Sequence, residues 1–396
     1  MFRFLIVLLL AVSSLHAAKK TVCLNMIVKN ESKVITRCLE SVLPLIDYWV
    51  ISDTGSTDGT QDIIKNYMKE KNVPGELIER PWKNFAHNRN EALNAAKGKA
   101  DYVLFIDADE YLVYDDDFAL PELTKDYYYL VLTWPGSSWS KISLIKDTFN
   151  WKWEGVLHEV IVPHVSQTYA TLEKVKNIYT VDGVRSRDPK KYEKDAEVLE
   201  AALKDEPNNS RYMFYLAKSY ESYGNKEKAV EWYKKRAAVA WDTDLEATWS
   251  LMSAGQLQEQ LGVAPDEIIK TYKEAVRHAR LRAEPYYHLA RYYRAIGDNT
   301  RCYLVANLGI TLPMPTDNFF VEDWIYDYGL LMEISVSSYW LGKYSECQEA
   351  SVAMLEIEDL PENYKNCAEQ NLGFANQKLL EEICDGSDLQ KMMVSK

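Results

Sequence analysis

Two aspartates two positions apart, Asp107 and Asp109, have the residue type and spacing of a metal-binding pair. They follow the apolar run Tyr102–Ile106, which predicts a strand buried on both faces. In an extended chain, residues two apart point the same way, so the carboxylates would repel unless a cation lay between them. Oxygen ligands favour Mg²⁺ or Mn²⁺. A strand that ends in a solvated acidic turn is the alternative. Glu110 would face away, which limits it to a supporting part.

A second polar turn, Asp53–Thr60, follows the predicted strand Asp47–Ser52. The Asp53 carboxylate at this strand end suits a nucleobase N–H or a ribose hydroxyl, and Gly55 permits close approach of the backbone. Thr57 or Asp58 is placed to cap the following helix. A capped turn of an ordinary α/β domain is therefore the competing interpretation.

Alternating patterns over about 90 residues position these two turns. Strands are predicted at Thr21–Val28, Asp47–Ser52, Leu77–Ile78 and Tyr102–Ile106, and helices at Val34–Leu45, Gln61–Lys71 and Asn88–Lys97. Such alternation indicates βαβ units and a mainly parallel sheet, whose ligands bind at the carboxyl ends of the strands. Both polar turns fall at that edge. The chain has neither GxGxxG nor GxxxxGK[ST], so a dinucleotide fold and a P-loop are not indicated.

Four motifs in order, Met26–Glu31, Asp53–Asp58, Arg89–Leu93 and Ile106–Glu110, make Thr21–Asp182 resemble a family 2 glycosyltransferase with the GT-A fold. The resemblance implies that Asp53 holds the base of a nucleotide-sugar donor, with a UDP-sugar as first candidate. It also implies that Asp107 and Asp109 hold Mn²⁺ or Mg²⁺ on the diphosphate, and that transfer inverts the anomeric centre.

Arg89 suits a contact with the donor diphosphate, because a planar guanidinium matches phosphate oxygens; a helix-surface salt bridge is the alternative. The acceptor proton needs a base, for which Glu159 is the first candidate and His158 the second. Both lie in Trp153–Glu159, a segment that resembles one in related transferases fused to helical repeats. An ordinary buried polar pair is the other interpretation of these two residues.

Between Glu110 and this segment, Tyr127–Thr133 is predicted as a strand and Trp134–Trp139 as the turn that follows it.

Two further features of this region are open. Trp151 and Trp153 would either stack on a sugar or fill the core. Relatives often carry a histidine where this chain reads Tyr179–Gly183. If that histidine is a metal ligand in the relatives, Asp182 or His164 would have to replace it here.

From Pro189 to about Leu380 the pattern becomes helical. Gly224, Gly262, Gly297 and Gly342 recur at spacings of 38, 35 and 45 residues, with small and aromatic residues at fixed offsets, as in tetratricopeptide (TPR) repeats. The units at Gly262 and Gly342 match weakly. Such helix pairs stack to bury their apolar faces, either as a platform for a protein partner or as a buttress.

Composition and termini restrict the class of protein. A formal charge of −13 argues against nucleic acid as a partner. Residues 1–18 have the basic, apolar and small-residue regions of a cleavable secretory signal, with a membrane anchor as the alternative. The protein is therefore expected in the secretory pathway, exported or anchored.

The sequence predicts an α/β GT-A domain at 19–186, an all-α TPR-like domain at 187–382 and a tail at 383–396. The leading hypothesis is a metal-dependent glycosyltransferase acting on an acceptor hydroxyl of a glycan or protein. The rival is a non-catalytic TPR adaptor that carries a decayed transferase domain.

Overall fold

The computed structural model describes residues 19–134, 137–163, 167–241, 244–315 and 321–385. The predicted signal at 1–18 lies outside these residues. Contacts divide the chain into two units that meet in sequence between Lys191 and Tyr192. Among the described residues, no helix is both long and apolar enough to cross a lipid bilayer.

An eight-stranded sheet forms the centre of the first unit, in the order β3-β2-β1-β4-β7-β6-β10-β5. Four of its strand pairings are parallel and three are antiparallel. The strands of this sheet are β1 (Val22–Val28), β2 (Tyr48–Asp53), β3 (Gly75–Glu79), β4 (Tyr102–Phe105), β5 (Tyr111–Tyr114), β6 (Tyr127–Trp134), β7 (Ser137–Lys146) and β10 (Tyr169–Ile178). Strands β8 (Lys152–Glu154) and β9 (Val160–Val162) form a separate hairpin.

Three helices connect the parallel half: α1 (Ile35–Val42), α2 (Thr60–Glu70) and α3 (Phe85–Ala96). Strand β4 is buried on both faces, as its uninterrupted apolar run predicted. Leu104 packs into the core that contains α1, while Val103 and Phe105 pack into the core that contains α3. Because all four parallel strands point the same way, the turns after β2 and β4 lie at one edge of the sheet.

The second half of the sheet differs from expectation at one point. The sequence predicted a turn over Trp134–Trp139, but Trp134 is the last residue of β6 and Trp139 lies within β7, paired with Leu132. Residues 135–136, between these two strands, lie outside the described part. Strands β5 and β10 had no clear sequence signal, and β10 is the element that joins β5 to the sheet.

The second unit is a series of antiparallel helix pairs, which confirms the predicted all-α TPR-like fold class. Its helices are α4 (Lys191–Asp205), α5 (Ser210–Ser222), α6 (Lys226–Ala238), α7 (Leu245–Gln260), α8 (Pro265–His278), α9 (Ala283–Ala295), α10 (Asn299–Gly309), α11 (Leu330–Trp340), α12 (Tyr344–Leu355) and α13 (Glu362–Asp385), with a π-helical turn at Ile325–Gly329. Lys191, the first residue of α4, belongs to the first unit by its contacts.

Each of the four repeating glycines lies in the connection between the two helices of one pair. Gly224, Gly262, Gly297 and Gly342 all have positive φ, between 66° and 94°. This left-handed conformation ends one helix and reverses the chain into the next, and only glycine adopts it freely. The units at Gly262 and Gly342, whose sequence match was weak, therefore use the same connection as the other two.

Candidate active site

Asp53 closes the turn after β2 with one of its carboxylate oxygens. Its Oδ1 accepts hydrogen bonds from the backbone N–H of Gly55 and Ser56, at 2.9 Å each, and from Gln61 Nε2 at 2.8 Å. Burial alone would raise the Asp53 pKa, but the bonds from Ser56, Gln61 and Gly55 lower it overall. Its Oδ2 is buried without a hydrogen-bond partner among the described residues. Asp53 thus keeps one ionised, unsatisfied acceptor oxygen at the binding edge of the sheet.

The acidic segment after β4 is a turn, closed by a hydrogen bond of 3.0 Å from the Glu110 N–H to the Asp107 carbonyl oxygen. The expectation that Asp107 and Asp109 point the same way from an extended chain is therefore wrong. The Asp107 carboxylate contacts Arg89 and Lys141, whereas the Asp109 carboxylate lies against Gly183. The turn places the two acids in different surroundings.

Arg89, on α3, joins two predicted site residues. Its Nη2 donates to Asp107 Oδ1 at 2.6 Å, and its Nε donates to Glu159 Oε1 at 2.5 Å. The guanidinium also lies over the Trp153 ring, 5.0 Å from the centroid. Burial acts to lower the Arg89 pKa, but Asp107 and Glu159 raise it overall. Arg89 is 8% exposed, so it is not the surface salt bridge that the sequence left open.

Lys141, on β7, is a site residue that the sequence reasoning missed. Its Nζ lies 3.2 Å from Asp107 Oδ2 and 3.7 Å from Glu110 Oε1. Burial of the Asp107 carboxyl would raise its pKa, but Arg89 and Lys141 lower it overall. The alternation of β7 could not identify Lys141, because only the pairing of β7 with β4 brings it to the acidic turn.

Glu110 supports this turn from inside the protein. Its Oε2 accepts from the Asp107 N–H at 3.2 Å and from Asn177 Nδ2, on β10, at 2.7 Å. Burial and the charge of Asp107 raise its pKa, against the opposing effect of Lys141. Glu110 therefore holds the backbone of the turn, and it is too deeply buried to meet a ligand.

Asp109 and Glu31 are acids of the site that form no ion pair with another described residue, although the charge of Arg187 opposes part of the rise in the Glu31 pKa. Burial and the charges of Asp107 and Glu110 raise the pKa of Asp109 to about 6. Burial and the charge of Asp109 raise the pKa of Glu31, in the turn after β1, to about 7. A cation between these carboxylates would remove the repulsion.

The segment Tyr179–Gly183 packs against the acidic turn and is held there by Arg37. We call this set of contacts the clasp. Arg37 of α1 donates to the Asp109 carbonyl oxygen at 2.8 Å and pairs with both carboxylate oxygens of Asp182, at 2.8 and 3.0 Å. The bond from Arg37 lowers the Asp182 pKa to about 2. Both carboxylate oxygens of Asp182, which the sequence analysis named as a substitute metal ligand, are therefore already bound to Arg37. The other substitute, His164, lies outside the described residues.

The predicted bases Glu159 and His158 differ in their surroundings. Glu159 is nearly buried against Arg89, whereas His158 is exposed and has a φ of 53°. Trp151 and Trp153 are both buried, with Trp153 edge-on to Phe105 at 5.0 Å. These two indoles fill the core, so the sugar-stacking interpretation of them is wrong.

The residues fit a divalent cation by their charge. Asp107, Glu110 and Glu159 contact Arg89 or Lys141, whereas Asp109 and Glu31 lie beside this cluster without an ion-pair partner among the described residues. Within the described residues, no cluster of three or more His, Cys, Asp or Glu side chains is already arranged around a metal position. Asp109, without an ion-pair partner there, is the acid most available for a cation.

Comparison with known proteins agrees with this geometry. Residues 23–142 match the family model of glycosyl transferase family 2. The first unit therefore contains a family 2 glycosyltransferase domain, followed in the chain by TPR-like helix pairs.

Two curated relatives match parts of the chain. Glycosyltransferase SunS, described as derived from prophage SPbeta of Bacillus subtilis, is 25% identical over 232 residues, which is 54% of this chain and 53% of SunS. A TPR repeat-containing protein of Synechococcus elongatus is 38% identical over 100 residues, or 25% of this chain and 23% of that protein. The chain thus spans about half or less of the length of these relatives.

Among solved structures, MamA covers 52% of this chain and 99% of its own, with 16% identity and a TM-score of 0.33. A thermophilic TPR protein of Thermus thermophilus covers 46% of this chain and 91% of its own, with 16% identity and a TM-score of 0.33. At these TM-scores the neighbours add nothing to what the helix pairing itself shows.

Proposed function

We propose that this protein is a glycosyltransferase that moves a sugar from a nucleotide-diphosphate sugar to an acceptor hydroxyl of a glycan or protein. The observation that carries the proposal is the bridge formed by Arg89 between Asp107 and Glu159, at the sheet edge that also presents Asp53. One guanidinium thereby joins an acid expected on the donor side to the acid expected to act on the acceptor.

Asp53 is the proposed contact of the nucleobase or ribose. A buried oxygen that lacks a donor costs about 1–3 kcal/mol, so a ligand N–H or O–H bound to its Oδ2 would be favoured. Uracil and thymine both carry such an N–H between two carbonyl groups, and the family resemblance makes a UDP-sugar the first donor to test.

Dependence on Mn²⁺ or Mg²⁺ is proposed from the charge of the site. Asp109 and Glu31 have no ion-pair partner among the described residues, so once ionised they would repel a diphosphate unless a further cation were bound. Asp109 and Asp107 would hold the metal, with Asp109 the more available because Asp107 already contacts Arg89 and Lys141. A bound metal would supply charge neutralisation at the leaving diphosphate.

Glu159 is the proposed base, with His158 second. Its contact with Arg89 keeps the carboxylate in place while Oε2 remains for the acceptor O–H. The acceptor oxygen forms its bond to the anomeric carbon as the bond from that carbon to the diphosphate oxygen breaks, and Glu159 takes the proton. A single displacement of this kind inverts the anomeric centre.

The test is calorimetric titration of UDP, GDP and dTDP, each with and without Mn²⁺, followed by assay of the corresponding sugars. We expect one nucleotide to bind only with the metal, and Asp53→Ala and Asp107→Asn to weaken that binding. A protein that bound none of the three under either condition would contradict the proposal and favour the adaptor alternative. Product NMR reports the anomeric configuration.

A further inference from the structure

Three aromatic side chains, two exposed and one half-buried, form a cluster at the end of the antiparallel half of the sheet. Trp134 is 36% exposed and Trp139 is 42% exposed. Tyr179 touches both, with ring centroids 5.5 Å from Trp134 and 5.7 Å from Trp139, each in an edge-on arrangement. We call Trp134, Trp139 and Tyr179 the aromatic platform. Its exposure contrasts with the buried Trp151 and Trp153 of the same unit.

The platform shares one sheet face with the candidate active site. Trp139 lies two residues before Lys141 on β7, and Tyr179 lies two residues after Asn177 of β10. Side chains two apart on a strand point the same way, about 7 Å from each other. Pairing of both Trp139 and Asn177 with Leu132 of β6 confirms the common face. Lys141 and Asn177 contact Asp107 and Glu110, so the platform adjoins the acidic turn.

Tyr179 also leads directly into the clasp around Asp109. Its backbone N–H continues the pairing with β6 by donating to the Thr133 carbonyl oxygen at 3.1 Å, and the next residue, Thr180, donates to the Asp109 carbonyl oxygen at 2.7 Å. The rings are therefore held at a fixed position beside the proposed transfer site. Because the aromatic platform is an exposed apolar surface beside this site, a molecule bound at the site would contact it.

We propose that the aromatic platform binds the acceptor, and that the acceptor is a carbohydrate; this rests on the proposed function. One face of a pyranose ring carries C–H bonds whose slight positive charge suits the negative face of an aromatic ring. Its hydroxyl groups, at the ring edge, remain free to reach polar residues such as Lys141 and Asp107. The two indoles offer flat partly exposed surfaces beside those charges, a combination that suits a sugar better than a wholly apolar chain.

The test is a titration of the protein with chitotriose, maltotriose, cellotriose and mannotriose, followed by intrinsic tryptophan fluorescence, with and without UDP and Mn²⁺. We expect at least one trisaccharide to bind with saturation. Trp139→Ala should weaken that binding about tenfold, and Trp139→Phe should restore most of it, because the flat ring is the contact. UDP affinity should change far less than trisaccharide affinity in Trp139→Ala.

Tyr169→Ala is the matched control. Tyr169 is an exposed aromatic residue at the opposite end of β10, stacked on Tyr127 at 5.4 Å, and its loss should leave trisaccharide binding unchanged. Failure of all four sugars to bind, or equal binding by Trp139→Ala, would overturn the platform. The proposal would also be overturned if the protein bound phosphatidylcholine–phosphatidylglycerol vesicles and Trp139→Ala abolished that binding. A lipid surface would then be the partner.

The two proposals fail in separable ways. If trisaccharides bind at the platform but no nucleotide binds, the transferase proposal is wrong while the carbohydrate site stands. If UDP binds with Mn²⁺ but no trisaccharide does, the donor site stands and the acceptor is of another class.

Discussion

Buried charges are arranged differently in the two units. In the helical unit, Arg236 is 1% exposed and pairs with Asp244 and Glu246 at 2.9 Å each, and Glu333 receives two hydrogen bonds from Arg294. In the sheet unit, Arg89 and Lys141 balance only part of the surrounding acid, and Asp109 and Glu31 lack an ion-pair partner among the described residues.

This difference separates charges that hold a fold together from charges that await a ligand. A buried acid paired with arginine keeps its charge because the pairing offsets much of the cost of removing both groups from water, whereas neighbouring unpaired acids destabilise the folded state. Such an excess persists where function needs it. Four substitutions test this interpretation, from the largest expected effect to the smallest.

Two arginine-bound glutamates should separate chemistry from structure. Glu159→Gln keeps an oxygen for Arg89 but loses the base, so turnover of the donor nucleotide-sugar should fall by about 10²–10⁴-fold. Glu333→Gln, the matched change in the helical unit, should leave turnover unchanged and lower stability. Initial rates and thermal unfolding measure both. A larger loss of turnover in His158→Gln than in Glu159→Gln would make His158 the base instead.

Arg236→Ala should destabilise the helical unit. The change leaves Asp244 and Glu246 without their buried partner, which costs about 3–5 kcal/mol. Urea unfolding followed by circular dichroism measures the loss. Lys235→Ala removes the adjacent but exposed pair with Glu231 and should leave the transition where it is. Equal stability of the two variants would show that the Arg236 cluster is not structural.

The unpaired acids should make the sheet unit less stable as pH rises from 5 to 8. Their raised pKa values, about 6 for Asp109 and about 7 for Glu31, mean that the folded state holds protons that the unfolded chain has released. That contribution is present at low pH and is lost through this window.

Asp109→Asn should remove its share of the pH dependence and stabilise the unit at pH 8 by about 1–2 kcal/mol. Mn²⁺ should have a similar stabilising effect on the original protein. Thermal unfolding at several pH values measures both effects. A loss of stability at pH 8 in the Asp109→Asn variant would place a cation partner on Asp109.

Gly183→Ala should disturb the Asp109 carboxylate alone. A Cβ at residue 183 would lie 2.5 Å from Asp109 Oδ2, so the carboxylate would have to move. We expect about tenfold weaker Mn²⁺ binding in the presence of UDP, measured by calorimetry. Gly373→Ala, where a Cβ meets nothing within 4 Å, is the control. Unchanged Mn²⁺ affinity in Gly183→Ala would remove Asp109 from the metal site.

The sequence predicted the parts of this arrangement that depend on local patterns. The apolar run of β4 and the alternation around it indicated the parallel half of the sheet, and the repeating glycines indicated the helix pairs. Asp53 and Asp107 stand out by residue type at predicted strand ends, and Arg89 and Glu159 by their place in segments that carry the family resemblance. The structure brings Arg89, Asp107 and Glu159 into contact.

The remaining parts depend on pairing between distant segments. Lys141 reaches Asp107 only because β7 pairs with β4. Trp134 and Trp139 are strand residues rather than turn residues because the pairing of β6 with β7 extends to Trp134. The conformation of the acidic segment was mistaken because a tight turn and an extended strand end share the same composition. Separation along the chain, rather than any missing motif, limited the prediction.

The clasp of Arg37 on Asp182 has a consequence for synthesis of the protein. It joins residues 145 positions apart, and Gly183 against Asp109 completes it. A nascent chain that has emerged only as far as Ile178 holds all eight strands of the sheet but lacks this last contact. Since chains fold as they emerge from the ribosome, donor capture would arise abruptly with the final few residues of the unit, after its scaffold has formed.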